Sequence, residues 1–349
     1  MASRSDVFVV SGPPREIDGE ALSAIDSALA RAVGAAPESV SHTFDPKRAL
    51  AFEHGGPAVW SVARVSTAGP GAHHLYATCG LSELVEPGLL RRGIAHELTL
   101  RVPDTEGSSP PTWPVRVLRH LARYVLSTGR ELRVGDHLPL FESIARAPMV
   151  PEHRSSQPPS QLTAVAVTRD PSLDAITTPR GTVELRRIVG LTQDELELLE
   201  TWSCAGLLDL IGTRDPTLGT DLDRPSWTTE RELVAEVQAR SEREGSDVPA
   251  IALPGVRWSR VDAGYEVRLP GGAAGPRLAR MIRARLGHGR GLLVHGPDPI
   301  PMSEVALEPS ERWRAREQGR VLVVGLGADA PEVVRLHERV PAHVWRLEA

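Results

Sequence analysis

Lysine is almost missing from this chain: Lys47 is the only one among 40 basic residues. Arginine carries the remaining positive charge, a bias that reads as codon usage in a GC-rich bacterial genome rather than as selection of forked guanidinium groups for contacts. Aromatic residues are scarce at 4%, and cysteine is limited to Cys79 and Cys204. The two thiols lie far apart with no CxxC pair, which excludes a disulfide-rich secreted scaffold and fits a reducing cytoplasm, while a single bridge between them stays open. No apolar run approaches the length of a bilayer span, and the opening MASRSDVFVVSGPP has no signal-peptide core, so a cytoplasmic protein without membrane attachment is expected. A net charge of −5 and a pI near 6.2 lack the electropositive footprint of nucleic-acid binding. No internal repeat is visible.

What is present is ordinary globular composition, 41% apolar and 24% charged over 349 residues. That length exceeds what one core usually holds, so two domains are expected: residues 1–228, a polar linking helix at 229–247, and a smaller α+β domain at 248–349. Asp6 to Val10 reads as a strand, and Asp18 caps a helix to Val33 with Ala21, Leu22, Ile25, Ala28, Leu29 and Ala32 on its apolar face. Strands follow at Ala58 to Val65, Leu75 to Thr78 and His96 to Val102. The next helix starts at Thr112 with Pro114 in its first turn and Gly129 beyond its end; Leu118, Leu121, Ala122 and Val125 share one face. After a Pro/Ser-rich loop, strands are expected at Thr163 to Thr168 and Thr182 to Ile188. Thr192 and Glu195 form a capping box, with Leu191 and Leu196 as its staple, opening a helix from Gln193 to Trp202. A second box, Thr229 and Glu232, opens a helix to Glu244 that stops at Gly245. Strands near Val256 to Arg260, Tyr265 to Leu269, Gly291 to His295 and Arg320 to Gly325 surround a basic helix at Arg277 to Leu286, and a last helix spans Pro331 to Arg339.

Few motifs advertise chemistry. VLVVGLGADA at 321–330, followed by a helix and a strand ending in Glu348, matches the GxGxxA phosphate fingerprint with its distal acid. Against it, Asp329 sits where a pyrophosphate wants positive potential, and a plain strand, turn and helix is the favoured reading. The twelve histidines match no HExxH or Cys/His zinc spacing, and Gly80 to Leu84 lacks the second glycine of a nucleophile elbow. No enzyme activity, metal or cofactor is therefore expected. Arg116, Arg119, His120 and Arg123 stripe the polar side of the Thr112 helix, more readily a solvated face than a partner contact. Tyr124 borders that stripe as a core-edge tyrosine, and Asp136 sits in a turn bent at Gly135, the usual work of an Asp there being to bond nearby backbone. A helix-border hydroxyl and a loop carboxylate a dozen residues apart can still face one crevice.

Four blocks resemble the Suppressor of fused family in order and spacing: LYATCGLSE at 75–83, the run from His96 to Leu140, TPRGTVELRRIVGLTQDELELLETWSCAGLLDLI at 178–211, and TDLDRPSW at 220–227. The likeness implies a mixed α/β (α+β) amino-terminal domain, a sheet with packed helices, followed by a smaller α+β domain. In animal members a strand-like segment of a transcription factor is gripped between two domains, whereas many bacterial members resemble immunity proteins that bind and neutralise toxins. The resemblance implies partner-binding roles for Tyr124 in its ARY text and Asp136 in its GDH text, and for His295 through RGLLVHG at 290–296. It implies a protein partner, a toxin or effector or else a transcription factor, with a peptide segment gripped between the two domains and without catalysis; β-augmentation is the mechanism consistent with the residues. A nucleotide-dependent enzyme is the distant rival.

Overall fold

The computed structural model describes residues 19–42, 61–67, 71–82, 95–104, 109–128, 130–140, 142–146, 159–178, 181–262, 264–272, 274–296, 302–327 and 342–348. The expected strand at residues 6–10, the Asp18 cap, Gly129 and the helix at residues 331–339 lie outside them. The chain divides into two compact units, Met1–Gln193 with Leu208–Ser226, and Asp194–Leu207 with Trp227–Ala349.

In the first unit the elements are α1 (Gly19–Ala32), β1 (Ser41–His42), β2 (Ser61–Ser66), β3 (His73–Cys79), β4 (His96–Pro103), α2 (Trp113–Thr128), β5 (His137–Pro139), β6 (Leu162–Arg169), β7 (Ile176–Thr178) and β8 (Gly181–Thr192). They build one sheet in the order β1, β2, β3, β4, β8, β6, β5, with β7 paired to β8. Only the β4–β8 junction is parallel within that path. Alternate residues of a strand face opposite sides, which is why β3 is buried along nearly its whole length. Its Tyr76 joins the core under α2, while Leu75, Ala77 and Cys79 join the core under α1.

Periodicity places both helices. Leu118, Leu121, Ala122 and Val125 of α2 are fully buried, each large one contributing about 1.5–3 kcal/mol relative to exposure. The Tyr76 hydroxyl donates to the Pro111 carbonyl at 2.7 Å and fixes the entry of α2, and Trp113 beside it is 2% exposed. On the opposite face α1 buries Ala21, Ile25, Ala28 and Leu29. β8 runs further than the alternating segment 182–188 suggests, because both its faces are covered and Val189 to Thr192 stay buried.

Two side-chain networks pin the sheet. Glu97, wholly buried, accepts from the Thr78 hydroxyl (2.5 Å), the amides of Gly80, Leu81 and Ser82 (3.0, 3.2 and 2.9 Å) and the Ser82 hydroxyl (2.6 Å). Asp170 stands between Arg101 and Arg187, taking 2.9 and 3.0 Å bonds from them on one oxygen.

Helices α3 (Gln193–Thr201) and α4 (Cys204–Gly212) carry the chain across the unit boundary; α4 was not expected. The second unit continues with α5 (Arg231–Glu244), β9 (Ala250–Ala252), β10 (Arg257–Val261), β11 (Gly264–Pro270), α6 (Ala274–Leu286), β12 (Leu292–His295), β13 (Glu304–Pro309), β14 (Arg314–Gln318), β15 (Val321–Leu326) and β16 (Ala342–Glu348). Its sheets run β10-β11-β16 and β14-β15-β13-β12-β9. Glu200, fully buried, receives both arms of Arg277, and Trp202 donates its indole N–H to Glu244 at 2.8 Å under the Arg240 guanidinium.

The second capping box needs correction. The residue before α5 is Glu230, without a side-chain cap bond, and Thr229 instead closes a short 3-10 turn with Trp227 and Thr228. That turn is held at the start of α3, Trp227 donating its amide to Glu195 at 2.7 Å and Thr228 bonding Asp194. Gly245 ends α5 as expected, at φ +68°, where a side chain would also strike His288.

Candidate functional site

The sheet of the first unit ends at β5, and among the described residues no strand lies beyond it. The turn ahead of β5 is tightly tied. Gly135 adopts φ +95°, the Asp136 amide donates to the Arg133 carbonyl (2.9 Å), and the Asp136 carboxylate accepts from the Arg133 amide (2.7 Å). The turn is also stitched to β6, since the Gly135 amide donates to Val167 (2.9 Å) and the Val167 amide to Asp136 (2.8 Å). With Leu140 donating to Thr163 at 2.9 Å, the even-numbered residues turn their backbone groups toward β6. Antiparallel alternation then directs those of His137 and Pro139 to the outer edge.

Side chains follow the other alternation. Leu138 and Leu140 pack on the core under α2, and Tyr124 of α2 packs, half-buried, on that same core. Tyr124 and the edge strand thus share one face of the sheet, with Asp136 at the start of β5. Val134, at the tip of the turn, is 41% exposed.

The approach to this turn is anchored by charge. Glu131 lies 3.1 Å from Arg186, 3.4 Å from His96 and 3.6 Å from Arg133, and Arg186 donates to the Leu132 carbonyl at 2.6 Å. Burial, reinforced by the Arg186 charge, pushes the His96 imidazole down to about 4, so it is neutral near pH 7. The stripe on α2 is less solvated than its spacing suggests. Arg116 donates to the Ala145 carbonyl at 3.0 Å, and burial lowers the pKa of both Arg116 and Arg119; of the four residues Arg123 is the exposed one.

His295 closes β12, inside the five-stranded sheet of the second unit. Its backbone is paired on both sides, opposite Glu304 and Ala252, and Leu253 donates to its carbonyl at 2.8 Å. Its half-exposed ring approaches the Gly296 carbonyl through Nδ1 at 2.7 Å.

Among the described residues the glycine fingerprint departs from a dinucleotide fold, and residues 328–341 lie outside them. Gly325 lies within β15, and a Cβ there would fall 2.9 Å from both Arg314 and Ser310, so close packing against neighbouring side chains accounts for this glycine without a ligand. Glu348 ends β16, which pairs with β11 in the other sheet instead of standing beside β15. A dinucleotide fold requires those strands in one parallel sheet.

Sequence reasoning missed β5 itself, Pro139 on its edge, and the Glu131–Arg186–His96 anchor. A proline in HLPL is the sole local signal for the first two, since proline within sheets concentrates on edges.

The family model described as Suppressor of fused protein (SUFU) matches residues 58–225. Over those residues the chain resembles a Suppressor of fused domain. The Suppressor of fused homologs of Homo sapiens and Mus musculus are each 28% identical over 195 residues, 52% of this chain. That stretch is 38% of either relative, so the match spans well under half the length of these curated proteins. The crystal structure of Drosophila Suppressor of Fused, 20% identical, covers 92% of each chain with a TM-score of 0.64, a likeness of fold extending past the domain into the second unit. The Sufu-Fu complex crystal structure is 27% identical and covers 63% of this chain and 96% of that one at a TM-score of 0.49. Tyr124, Asp136 and β5 all fall within the matched residues 58–225. No helix among the described residues is long and apolar enough to cross a membrane.

Proposed function

We propose that this chain is a non-enzymatic protein-binding module that takes an extended partner segment onto the outer edge of β5, and that its partner is a toxin or effector which it neutralises as an immunity protein. The observation carrying the reading is the end of the domain's sheet at a three-residue strand that begins directly after Asp136 and shares its core with Tyr124. A strand added there gains main-chain hydrogen bonds, and side chains at its flanks choose the sequence. Tyr124 supplies a flat wall and one hydroxyl. Asp136 supplies a carboxylate whose orientation the turn fixes in advance. His295 is kept as a further partner-contacting residue on the family resemblance alone.

Codon bias toward arginine supports a bacterial source, and low cysteine usage supports a cytoplasmic setting. The test is affinity capture from the native organism with the tagged full chain as bait, followed by calorimetry with the captured partner. A stoichiometric protein partner, encoded beside this gene and toxic when expressed alone, is the expected result. Capture of nothing above background, or turnover of a small molecule by the purified chain, would overturn the reading.

A further inference from the structure

On the face of the sheet opposite α2, three side chains from separate elements converge. Asp26 comes from the middle of α1, His42 ends β1 and Cys79 ends β3. One ligand-type atom from each lies within 4.8 Å of the others, the only such trio among the described residues. His42 Nε2 is 3.0 Å from Asp26 Oδ2.

The register explains the convergence. His42 stands opposite Ala63 and Ala63 opposite Ala77, so these side chains project to the same face, with Cys79 two residues further along β3. Ala63 and Ala77 are fully buried and small, leaving the space under α1 to the imidazole and the thiol. The end of β3 is held firmly, because the Glu97 carboxylate binds Thr78 on one side of Cys79 and Gly80 on the other.

We propose that Asp26, His42 and Cys79 form a site for a borderline-soft divalent cation of the zinc class. A second observation points to a ligand: Asp26 Oδ1 is buried and has no hydrogen-bond partner, a costly state for a carboxylate oxygen unless a cation meets it. The donor set selects the ion. Oxygen, imidazole nitrogen and thiolate sulfur together suit zinc, whereas calcium and magnesium take oxygen ligands. Ligand atoms about 2.0–2.3 Å from a tetrahedral zinc are about 3.3–3.8 Å apart, so closing the trio requires at most an inward shift of about 1.5 Å by any pair. Binding replaces the thiol S–H bond with a sulfur–metal bond and releases that proton to solvent. The ion would tie α1 and the two-residue β1 to β3. The same residue types also make a thiol nucleophile with its base, but Cys79 is 0% exposed and no substrate reaches it.

The test treats the purified full chain with a chelator and then adds Co2+ as a spectroscopic probe. A sulfur-to-cobalt charge-transfer band saturating at one Co2+ per chain is expected, displaced by Zn2+. It disappears in Cys79→Ser and persists in Cys204→Ser, whose thiol lies in the second unit. Asp26→Asn and His42→Gln should each raise the half-saturating Co2+ by about tenfold or more, one ligand's worth of affinity. Zn2+ should raise the wild-type melting temperature. A wild type without the thiolate band, or a band that survives Cys79→Ser, refutes the site; should Cys79→Ser fail to fold, the wild-type spectrum and the Asp26→Asn titration decide.

Discussion

Replacing Asp170 by Asn tests whether the sheet behind the candidate site rests on one buried carboxylate. Asp170 is 4% exposed, and one of its oxygens accepts from Arg101 (2.9 Å), Arg187 (3.0 Å), the Ser172 amide (3.1 Å) and the Ser172 hydroxyl (2.8 Å). The other accepts from the Nε atoms of both arginines at 3.3 Å. Asn keeps the volume but removes the charge and turns an N–H2 group toward guanidinium donors. Arg101 and Arg187 are then left 6% and 1% exposed with no counter-charge from this position. Removing one partner of a buried ion pair costs about 3–5 kcal/mol. For a domain of this size each kcal/mol moves the melting temperature by about 2–4 °C, so the first unit's transition should fall by roughly 6–20 °C.

The pH dependence sharpens that test. Burial alone would raise the Asp170 carboxyl, but Arg187 and Arg101 outweigh it and hold it below the ordinary 3.8. A depressed carboxylate contributes stability above its unfolded pKa and loses it as pH falls through the folded value. The gap between wild type and Asp170→Asn should therefore be widest near neutrality and narrow below about pH 4. Calorimetry and urea melts at both pH values measure it. A variant within about 2 °C of wild type at pH 7, or a gap independent of pH, would falsify the argument.

Other perturbations follow from the same geometry. Trp113→Ala should cost about 3–5 kcal/mol in urea unfolding, because its indole is 2% exposed inside the α2 core. Asp136→Ala should weaken binding of the captured partner by about 2 kcal/mol or more in calorimetry while lowering stability by about 1 kcal/mol, the worth of one turn bond to Arg133; equal losses in both would mark a structural residue only. His96, held at about 4 against 6.5 when unfolded, favours the native state fully above pH 6.5 and progressively less toward pH 4. His96→Gln should flatten the urea midpoint across that window, and an unchanged slope would remove His96 as the cause.

Sequence periodicity located α1, α2 and most strands because each carries one buried stripe or alternates cleanly. It could not locate β5, whose HLP is too short to alternate and whose proline argues against a strand. It passed over α4, since CAGLLDLIG is apolar on nearly every side and offers no polar face to time the helix. Thr229 had the right neighbour for a capping box, but tertiary bonds from Trp227 and Thr228 to α3 claimed the segment first. Tyr124 and Asp136 are singled out by family resemblance alone, because a helix border and a turn look alike in thousands of chains. Asp26, His42 and Cys79 left no local trace, being joined only by strand register and the seating of α1.

The shortness of β5 bears on how a partner would be chosen. An exposed edge invites indiscriminate pairing, and proteins blunt such edges with short strands and proline. β5 has both devices, for Pro139 offers no N–H on the side away from β6. A foreign strand can therefore gain at most three backbone bonds along β5, to His137 N–H, His137 C=O and Pro139 C=O, each worth about 0.5–1.5 kcal/mol net, which is too little for stable capture. On the proposed binding mode, most of the affinity then comes from side chains beside the edge. Asp136 suits that role because the bond from Arg133 already fixes its carboxylate, so little ordering cost remains at binding, and a carboxylate accepts several donors at once. Selection by Asp136 and Tyr124, with the backbone supplying only register, would let one sheet edge serve one partner and refuse the many strands that merely fit.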